Sequence, residues 1–210
     1  MKLHNPPRNS ARLRTFIAEF TRLVERIGND EPRIHAEGEK LLLDLVRNDD
    51  WLPDEYAQPH PQYYQQYLLY CDPLERFSVV SFVWGPGQKT PVHNHTVWGL
   101  LGVMRGAELC KRFDVSAAGA PMHAHPQERL DTGQIDRVSP TVGDIHEVAN
   151  AYADRVSISI HIYGANIGAV KRHVFDAATG QPRDFVSGYS NTTLPNVWDR
   201  SADVRATLAR

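Results

Sequence analysis

From about residue 77 onward, turn-forming residues divide the chain into short segments rich in β-branched and aromatic side chains. The first segment, 77–84, ends at Gly85-Pro86-Gly87, a combination that stops a strand. Many short strands separated by glycine and proline favour an antiparallel sandwich or small barrel over βαβ units. The further predicted strands are 97–104, 107–115, 134–139, 145–150, 155–163 and 169–176.

The first fifty residues have a helical pattern instead. After Ser10, a plausible N-cap, apolar residues such as Phe16 and Phe20 recur at helical spacing. Gly28-Asn29-Asp30 predicts a stop, and Pro32 can begin a second helix. With 210 residues, 41% of them hydrophobic, we expect one structural domain. It would consist of a helical segment, 1–60, packed on a β-barrel, 61–210.

Charge and hydropathy limit the partners and the location. The 23 basic and 25 acidic residues give a net charge of −2, so we expect neither nucleic acid nor a membrane as a partner. Residues 1–7 lack the apolar run of a signal peptide, and no stretch approaches the ~18 apolar residues of a membrane span. The two cysteines, Cys71 and Cys110, are expected to be reduced thiols. Together these features indicate a cytoplasmic protein.

Three histidines form a candidate metal site. His93 and His95 are two residues apart, and His146 follows in a later predicted strand. Residues i and i+2 of a strand share a face, so this pair would direct two imidazoles to one point. Three neutral imidazoles would leave the charge of a divalent ion uncancelled, and the open side would favour an anionic ligand such as a thiolate. The spacing permits Zn, Mn, Ni, Co or Fe.

A second His-x-His pair, His123 and His125, lies in a segment that resembles a loop. Pro126 follows it directly and argues against a continuous central strand. We expect these two histidines to be exposed to solvent and not to bind a metal.

The segment 156–163 alternates cleanly between isoleucines on one face and polar side chains on the other. The polar face could be exposed to solvent, but its place shortly after His146 favours a cavity. A hydrogen-bond relay through Ser159, His161 and Tyr163 would then hold the Tyr163 hydroxyl near the metal. We see no oxyanion element or carboxylate beside the histidine, which argues against a serine hydrolase.

Two spaced motifs carry a resemblance to a superfamily. Gly87-x5-His93-x-His95-x3-Gly99-x6-Gly106 and Pro140-x2-Gly143-x2-His146-x3-Asn150 resemble the two motifs of the cupins. The first motif normally includes a glutamate ligand where Gly99 and Leu100 stand here. The resemblance implies a mainly β, cupin-type double-sheet barrel, or jelly roll, with a metal in its mouth and, in this chain, helices before it.

Over about residues 60–190 the chain resembles the cysteine dioxygenase family of thiol dioxygenases. The resemblance rests on the three histidines, the Ser159-x-His161-x-Tyr163 run and the segment from Arg172 to Asp176. It implies Fe(II) bound by His93, His95 and His146, and oxidation of a small thiol to a sulfinic acid with both atoms of O2. Ser159, His161 and Tyr163 would be the catalytic relay. Members of this type are often monomeric, so we expect a monomer or a weak homo-oligomer.

Two positions depart from the animal enzymes. The cysteine that cross-links to the active-site tyrosine is matched by Gly99, so Tyr163 is expected to be a free phenol. Gln66 stands where cysteine-specific members carry an arginine, as in the bacterial members that resemble 3-mercaptopropionate dioxygenase. By that resemblance Arg172 binds the substrate carboxylate, with Gln66 and Tyr163 as further substrate contacts. The alternative is that neither residue binds substrate. Gln66 would then be a solvated polar residue, and Arg172 would be a surface charge.

The substrate and the reaction class stay open at this point. Cysteine and 3-mercaptopropionate differ by an amino group, and no single residue decides between them. A cupin isomerase or decarboxylase using Mn, Zn or Ni would have the same histidines and would work without oxygen. A non-catalytic cupin that binds a small ligand is the third possibility.

Overall fold

Two amino-terminal helices form where the sequence predicts them. In the computed structural model, which describes residues 10–116 and 119–208, helix α1 spans Ala11–Ile27 and α2 spans Glu31–Val46. Ser10 occupies the N-cap of α1 without a capping side-chain hydrogen bond, whereas the Asp30 carboxylate accepts from the backbone N–H of Arg33 at 3.2 Å. Residues 1–7, which bear on the expected lack of an export signal, lie outside the described residues.

Twelve strands and a short third helix are the main elements of the rest of the described chain. Each of the seven predicted strands is present within a few residues of its expected bounds, but five further strands and the last helix were not predicted. In chain order the elements are β1 Gln65–Cys71, β2 Ser78–Trp84, β3 Val92–His93, β4 Gly99–Arg105, β5 Ala107–Asp114, β6 His123–Ala124, β7 Glu128–Asp131, β8 Ile135–Val138, β9 His146–Asn150, β10 Ser157–Tyr163, β11 Arg172–Phe175, β12 Pro182–Phe185 and α3 Ser201–Leu208.

The strands form two antiparallel sheets. The first has the order β1-β2-β10-β4-β8, and the second has the order β12-β11-β3-β9-β5-β6, with β7 paired to β5. Side chains from both sheets meet in one apolar cluster, in which Tyr163 of β10 and Val148 of β9 take part. The predicted fold class, a mainly β, cupin-type double-sheet barrel with amino-terminal helices, is therefore confirmed by the sheets and helices themselves.

Apolar and polar side chains alternate along β10, so one face of the strand packs against the helices and the other faces the second sheet. Ile158, Ile160 and Ile162 are fully buried in the same cluster as Phe20 of α1 and Leu42 of α2, so the helices cover the outer face of the first sheet. The intervening polar residues of β10 are also buried and face the second sheet. A half-exposed β10, one of the two readings of its sequence, is therefore wrong.

No helix among the described residues is long and apolar enough to cross a membrane. Cys71 and Cys110 are both free thiols.

Candidate metal centre

His93, His95 and His146 converge between the sheets. One ring nitrogen from each lies within 4.8 Å of the others, and the three ring centroids are 4.9 Å apart in every pairing. His93 and His146 are brought together by register, since they are direct partners across β3 and β9. The three nitrogens are thus close enough together to bind one ion.

His95 reaches this point by a different route from the predicted one. Strand β3 ends at His93, so the expectation that both histidines share a strand face is wrong for His95. Its backbone N–H donates to Oδ1 of Asp144 at 2.9 Å, and its Nδ1 lies 3.0 Å from the same oxygen. The backbone N–H of Thr96 donates to the other carboxylate oxygen at 2.8 Å. A carboxylate on the loop before β9 therefore positions the ligand, in place of strand geometry.

The outer partners of the rings decide which nitrogen each ring presents. His93 Nδ1 lies 3.1 Å from the Pro91 carbonyl oxygen. That oxygen and the Asp144 carboxylate can only accept, so both rings carry the proton on Nδ1 and offer a lone pair on Nε2. His146 Nδ1 lies 3.5 Å from the Cys110 sulfur. Each ring is thereby held by its Nδ1, which leaves Nε2 as the nitrogen that can bind an ion.

The protonation and hydrogen bonding of the site fit a metal. The Nε2 of His95 is buried and has no hydrogen-bond partner among the described residues, which is costly unless an ion occupies the space beside it. Burial lowers the pKa of His95 and His146, and lowers the pKa of His93 to about 3. All three imidazoles are therefore neutral at pH 7, the form that binds divalent ions.

The predicted relay is present on β10. The Ser159 Oγ lies 2.7 Å from His161 Nε2, and His161 Nδ1 lies 2.8 Å from the Tyr163 hydroxyl. Phe82 stacks on the His161 ring at 4.2 Å, and Tyr163 stacks on His95 at 5.3 Å. Burial lowers the pKa of His161 and raises that of Tyr163, so both are neutral and Tyr163 keeps its proton. The relay thus ends in a hydroxyl beside a metal-ligand ring.

A cavity of about 220 Å³ opens beside His93 and Tyr163, and Gln66 and Arg172 both line it. Arg172 is only 3% exposed and Gln66 8%, so the readings of a surface charge and a solvated amide are wrong. The Arg172 guanidinium lies over the Phe185 ring at 4.7 Å.

Ser187 joins the two polar residues of this cavity. It accepts from Arg172 Nη2 at 2.7 Å and from Gln66 Nε2 at 3.0 Å. The same Gln66 nitrogen donates to the Gly188 carbonyl at 2.5 Å, whereas Arg172 Nε is buried with no hydrogen-bond partner among the described residues. A donor of the buried cation is thus left for a ligand, while the Gln66 amide protons are already engaged.

Besides Ser187, three further residues close to the site were not singled out from the sequence. Asp144 could have been found, because it lies two residues before His146 in the same motif. Cys110 and Glu108 alternate with apolar residues in β5, which places both on the inner face, but their isolated positions gave no signal of chemistry. Burial raises the pKa of the Cys110 thiol to about 12, so it is protonated and packs against His146 as a weak hydrogen-bonding group.

The second histidine pair is exposed, as expected. His123 lies in the two-residue strand β6, and its ring and that of His125 are 5.2 Å apart. His125 Nε2 lies 2.8 Å from the Asp114 carboxylate, and the three side chains could together hold an ion at the surface. They lie outside the cavity beside His93 and Tyr163.

The chain is similar in part to solved cupin structures. An uncharacterized Klebsiella pneumoniae protein with a double-stranded β-helix domain is 20% identical, over 55% of this chain and 89% of that one, with a TM-score of 0.41. A cupin superfamily protein from Desulfitobacterium hafniense is 14% identical over 57% of this chain and 94% of that one, with a TM-score of 0.42. Oxalate oxidase in complex with glycolate is 18% identical over 53% of this chain and 57% of that one, with a TM-score of 0.41. No protein-family profile matches the chain.

Proposed function

We propose that this protein is an iron-dependent thiol dioxygenase that oxidises a small thiol acid to its sulfinic acid. The observation that carries the proposal is that three neutral histidines converge, and that one of them, His93, borders a small cavity together with Tyr163 and the buried Arg172. Cysteine and 3-mercaptopropionate are the candidate substrates. Both are small enough for the cavity, and both combine a thiol with a carboxylate.

The candidate ligand set supports Fe(II). A site of three imidazoles without a carboxylate keeps the full charge of the ion, which favours an anionic thiolate on the open side. The chemistry that ferrous iron would supply, held by His93, His95 and His146, is the pairing of a thiolate with dioxygen so that both oxygen atoms reach sulfur. Sulfur provides all four electrons, so no external reductant enters the balance.

Arg172 supports an acid as the substrate. A guanidinium this deeply buried favours an anionic partner, because an unpaired charge away from water is costly. Its unpartnered Nε can donate to a carboxylate oxygen, while Nη2 is held by Ser187. A charge-assisted contact of this kind orients the carboxylate end and leaves the thiol end to face the histidines.

Gln66 is assigned a positioning role for Arg172. Its amide nitrogen donates to Ser187 and Gly188, so it contributes no free donor for a substrate carboxylate. Ser187 is shared with Arg172, and Gln66 therefore holds the side chain that orients the guanidinium. We propose that Gln66 affects substrate binding through Ser187.

Tyr163 would hydrogen-bond the bound substrate or oxygen. Its high pKa, caused mainly by burial, keeps the proton on the phenol, and His161 fixes the hydroxyl from the opposite side. The walls of the cavity include Phe82 and Phe185, which exclude water from the reacting atoms.

Oxygen consumption and sulfinate yield test the proposal. Iron-loaded protein would be supplied with 3-mercaptopropionate, cysteine, cysteamine and homocysteine, and we expect the thiol acids to be oxidised with one O2 consumed per sulfinate formed. His146→Ala is expected to lose iron and activity together, while His123→Ala, in the exposed pair, is expected to keep both.

The two alternatives predict different results. An isomerase or decarboxylase would turn over without oxygen, and a non-catalytic binding cupin would bind small acids without consuming it. Oxidation of cysteamine at the rate of the thiol acids would contradict the role given to Arg172. Full activity in a His146→Ala variant that keeps its iron would contradict the ligand assignment.

A further inference from the structure

Glu108 is a buried carboxyl group that the proposed reaction has not yet used. It lies on β5 and is 2% exposed, and its Oε1 has no hydrogen-bond partner among the described residues. A carboxyl group is rarely buried without a cation beside it. The polar side chains that act most strongly on the Glu108 carboxyl are neutral: the Ser159 hydroxyl and the Trp84 indole N–H.

With Glu108 beside Ser159, the relay on β10 can include one residue more than the three that the sequence predicts. Trp84 Nε1 donates to Ser159 Oγ at 3.3 Å, and both side chains lie close enough to the Glu108 carboxyl to lower its pKa. From there the chain of contacts runs through Ser159 and His161 to the Tyr163 hydroxyl. Glu108 therefore lies beside one end of this hydrogen-bonded path, and Tyr163 at the other end borders the cavity.

We propose that Glu108 is the proton-exchanging end of a four-residue relay, Glu108–Ser159–His161–Tyr163, and that it sets the direction in which the Tyr163 hydroxyl donates. Glu108 is a positioning residue in this scheme, because it reaches the cavity only through the other three. Its part in catalysis rests on the proposed function, whereas the relay itself does not.

With Glu108 neutral, the relay has one direction. The Glu108 O–H donates to Ser159 Oγ, and the Ser159 hydroxyl donates to Nε2 of His161. Neutral His161 then carries its proton on Nδ1 and donates it to the Tyr163 oxygen. The Tyr163 proton is left to point into the cavity, so Tyr163 is a donor to whatever is bound there.

With Glu108 ionised, every hydrogen bond reverses. The Ser159 hydroxyl donates to the carboxylate, and His161 carries its proton on Nε2 and donates it to Ser159 Oγ. The Tyr163 hydroxyl donates to His161 Nδ1, and its oxygen offers only a lone pair to the cavity. The two states differ by one proton and by the tautomer of His161.

The change between the states moves one proton and balances at each atom. A thiol that binds as a thiolate gives its proton to the Tyr163 oxygen, and the phenol proton passes to His161 Nδ1. The Nε2 proton of His161 passes to Ser159, whose own proton passes to the Glu108 carboxylate. The proton has left the thiol and rests on Glu108, and Tyr163 has become a donor toward the bound thiolate.

The surroundings of Glu108 suit this exchange near neutral pH. Burial raises its pKa to about 7, against the lowering effect of hydrogen bonds from Ser159 and Trp84, and the charge of Asp136 on β8 raises it further. Arg112, on the same face of β5, pairs with Asp136. The remaining titratable groups on the inner faces around Glu108 are Cys110 on β5, His146 on β9, and His161 and Tyr163 on β10. These four are uncharged at pH 7, since burial holds the pKa of each away from neutrality.

The tautomer of His161 is the direct readout. We would record 15N spectra of histidine-labelled, full-length protein loaded with Zn(II), a diamagnetic ion, and assign His161 by its loss in a His161→Asn variant. We expect the Nδ1–H form below pH 7 and the Nε2–H form above it. Glu108→Gln is expected to give one tautomer ratio at every pH, while Glu128→Gln, on the neighbouring strand β7 and exposed, is expected to switch like the unaltered protein.

Two results would overturn the proposal: a His161 tautomer in the unaltered protein that does not change across pH 7, or a change that persists in Glu108→Gln.

Proton release on anaerobic binding of 3-mercaptopropionate to the iron-loaded protein gives a second readout. Above pH 7, Glu108→Gln is expected to release about one more proton per site than the unaltered protein, and equal release would contradict the uptake by Glu108. If no thiol is oxidised but the tautomer still switches, the proposed function fails and the relay stands.

Discussion

At the scale of single residues, the metal centre depends on what holds the far nitrogen of each histidine. Asp144 holds His95 by two contacts to one oxygen. Asp144→Asn removes the charge that keeps His95 in its Nδ1–H form, so we expect metal affinity to fall by roughly 10- to 100-fold. Competition with a chelator measures this. Asp154→Asn, at an exposed position, is the control, and an unchanged affinity in Asp144→Asn would show that His95 does not depend on its partner.

Arg172 is expected to discriminate between thiols with and without a carboxylate. Arg172→Gln removes a charge-assisted contact worth about 2–4 kcal/mol when buried, so KM for 3-mercaptopropionate should rise by about 30-fold or more. KM for cysteamine, which has no carboxylate, should not rise. Steady-state oxygen uptake with both thiols measures the ratio, and the exposed Arg129→Gln is the control. An equal rise for both thiols would mean that Arg172 supports the cavity wall only.

Gly99 determines the chemical state of Tyr163. A Cβ at this position would lie 3.0 Å from Tyr163 Cδ1 and 3.1 Å from Cε1, so a cysteine here would touch the phenol ring. With glycine there is no sulfur to form a thioether, and Cys71 and Cys110 are both free. Intact mass spectrometry after turnover should give the mass of the unmodified chain, and a loss of two hydrogens would contradict the free phenol.

At the scale of elements, helix α2 is held by its contact with the outer face of the first sheet. Leu42 is fully buried there, whereas its neighbour Leu41 is only partly buried. Leu42→Ala should lower the free energy of unfolding by about 2–5 kcal/mol through lost burial and a cavity. Leu41→Ala makes the same chemical change at a less buried site and should cost about 1 kcal/mol or less. Urea denaturation compares them, and equal losses would contradict the packing of α2 on the sheet.

Four of the five strands that the sequence did not reveal were missed because of their length or their exposure. β3 and β6 contain two residues each, too few for a period-two pattern, and β7 and β12 are mainly exposed and polar. Such strands are stabilised by pairing with neighbours distant in sequence and not by their own apolar face. β3 matters most, because its register with β9 places His93 opposite His146.

At the scale of the whole molecule, Glu108 gives the stability a specific dependence on pH. Its pKa is raised from 4.5 to about 7 in the folded protein. Between these values the unfolded chain has lost this proton and the folded chain still holds it, so stability falls as pH rises through the window. The full effect is about 3 kcal/mol for this pKa difference.

Glu108→Gln has no such proton and should lack this decline. Denaturant titrations at matched metal content, at pH 5 and at pH 8, measure the difference between the two proteins. Glu128→Gln is again the control, since its side chain is exposed and should leave the slope unchanged. Parallel curves for Glu108→Gln and the unaltered protein would mean that Glu108 ionises in the folded state as readily as in the unfolded one.

The sequence by itself determined the β architecture, the helices before it and the three histidines. Periodicity, turn residues and motif spacing are local properties. Alternation distinguished the two faces of β10, and its place shortly after His146 favoured a cavity for the polar face. Tertiary structure alone decided that Asp144 positions His95, that Arg172 and Gln66 are buried around Ser187, and that Glu108 meets Ser159. Burial and hydrogen-bond partners come from residues far apart in the chain, and they set the charge of each group, which sequence spacing does not encode.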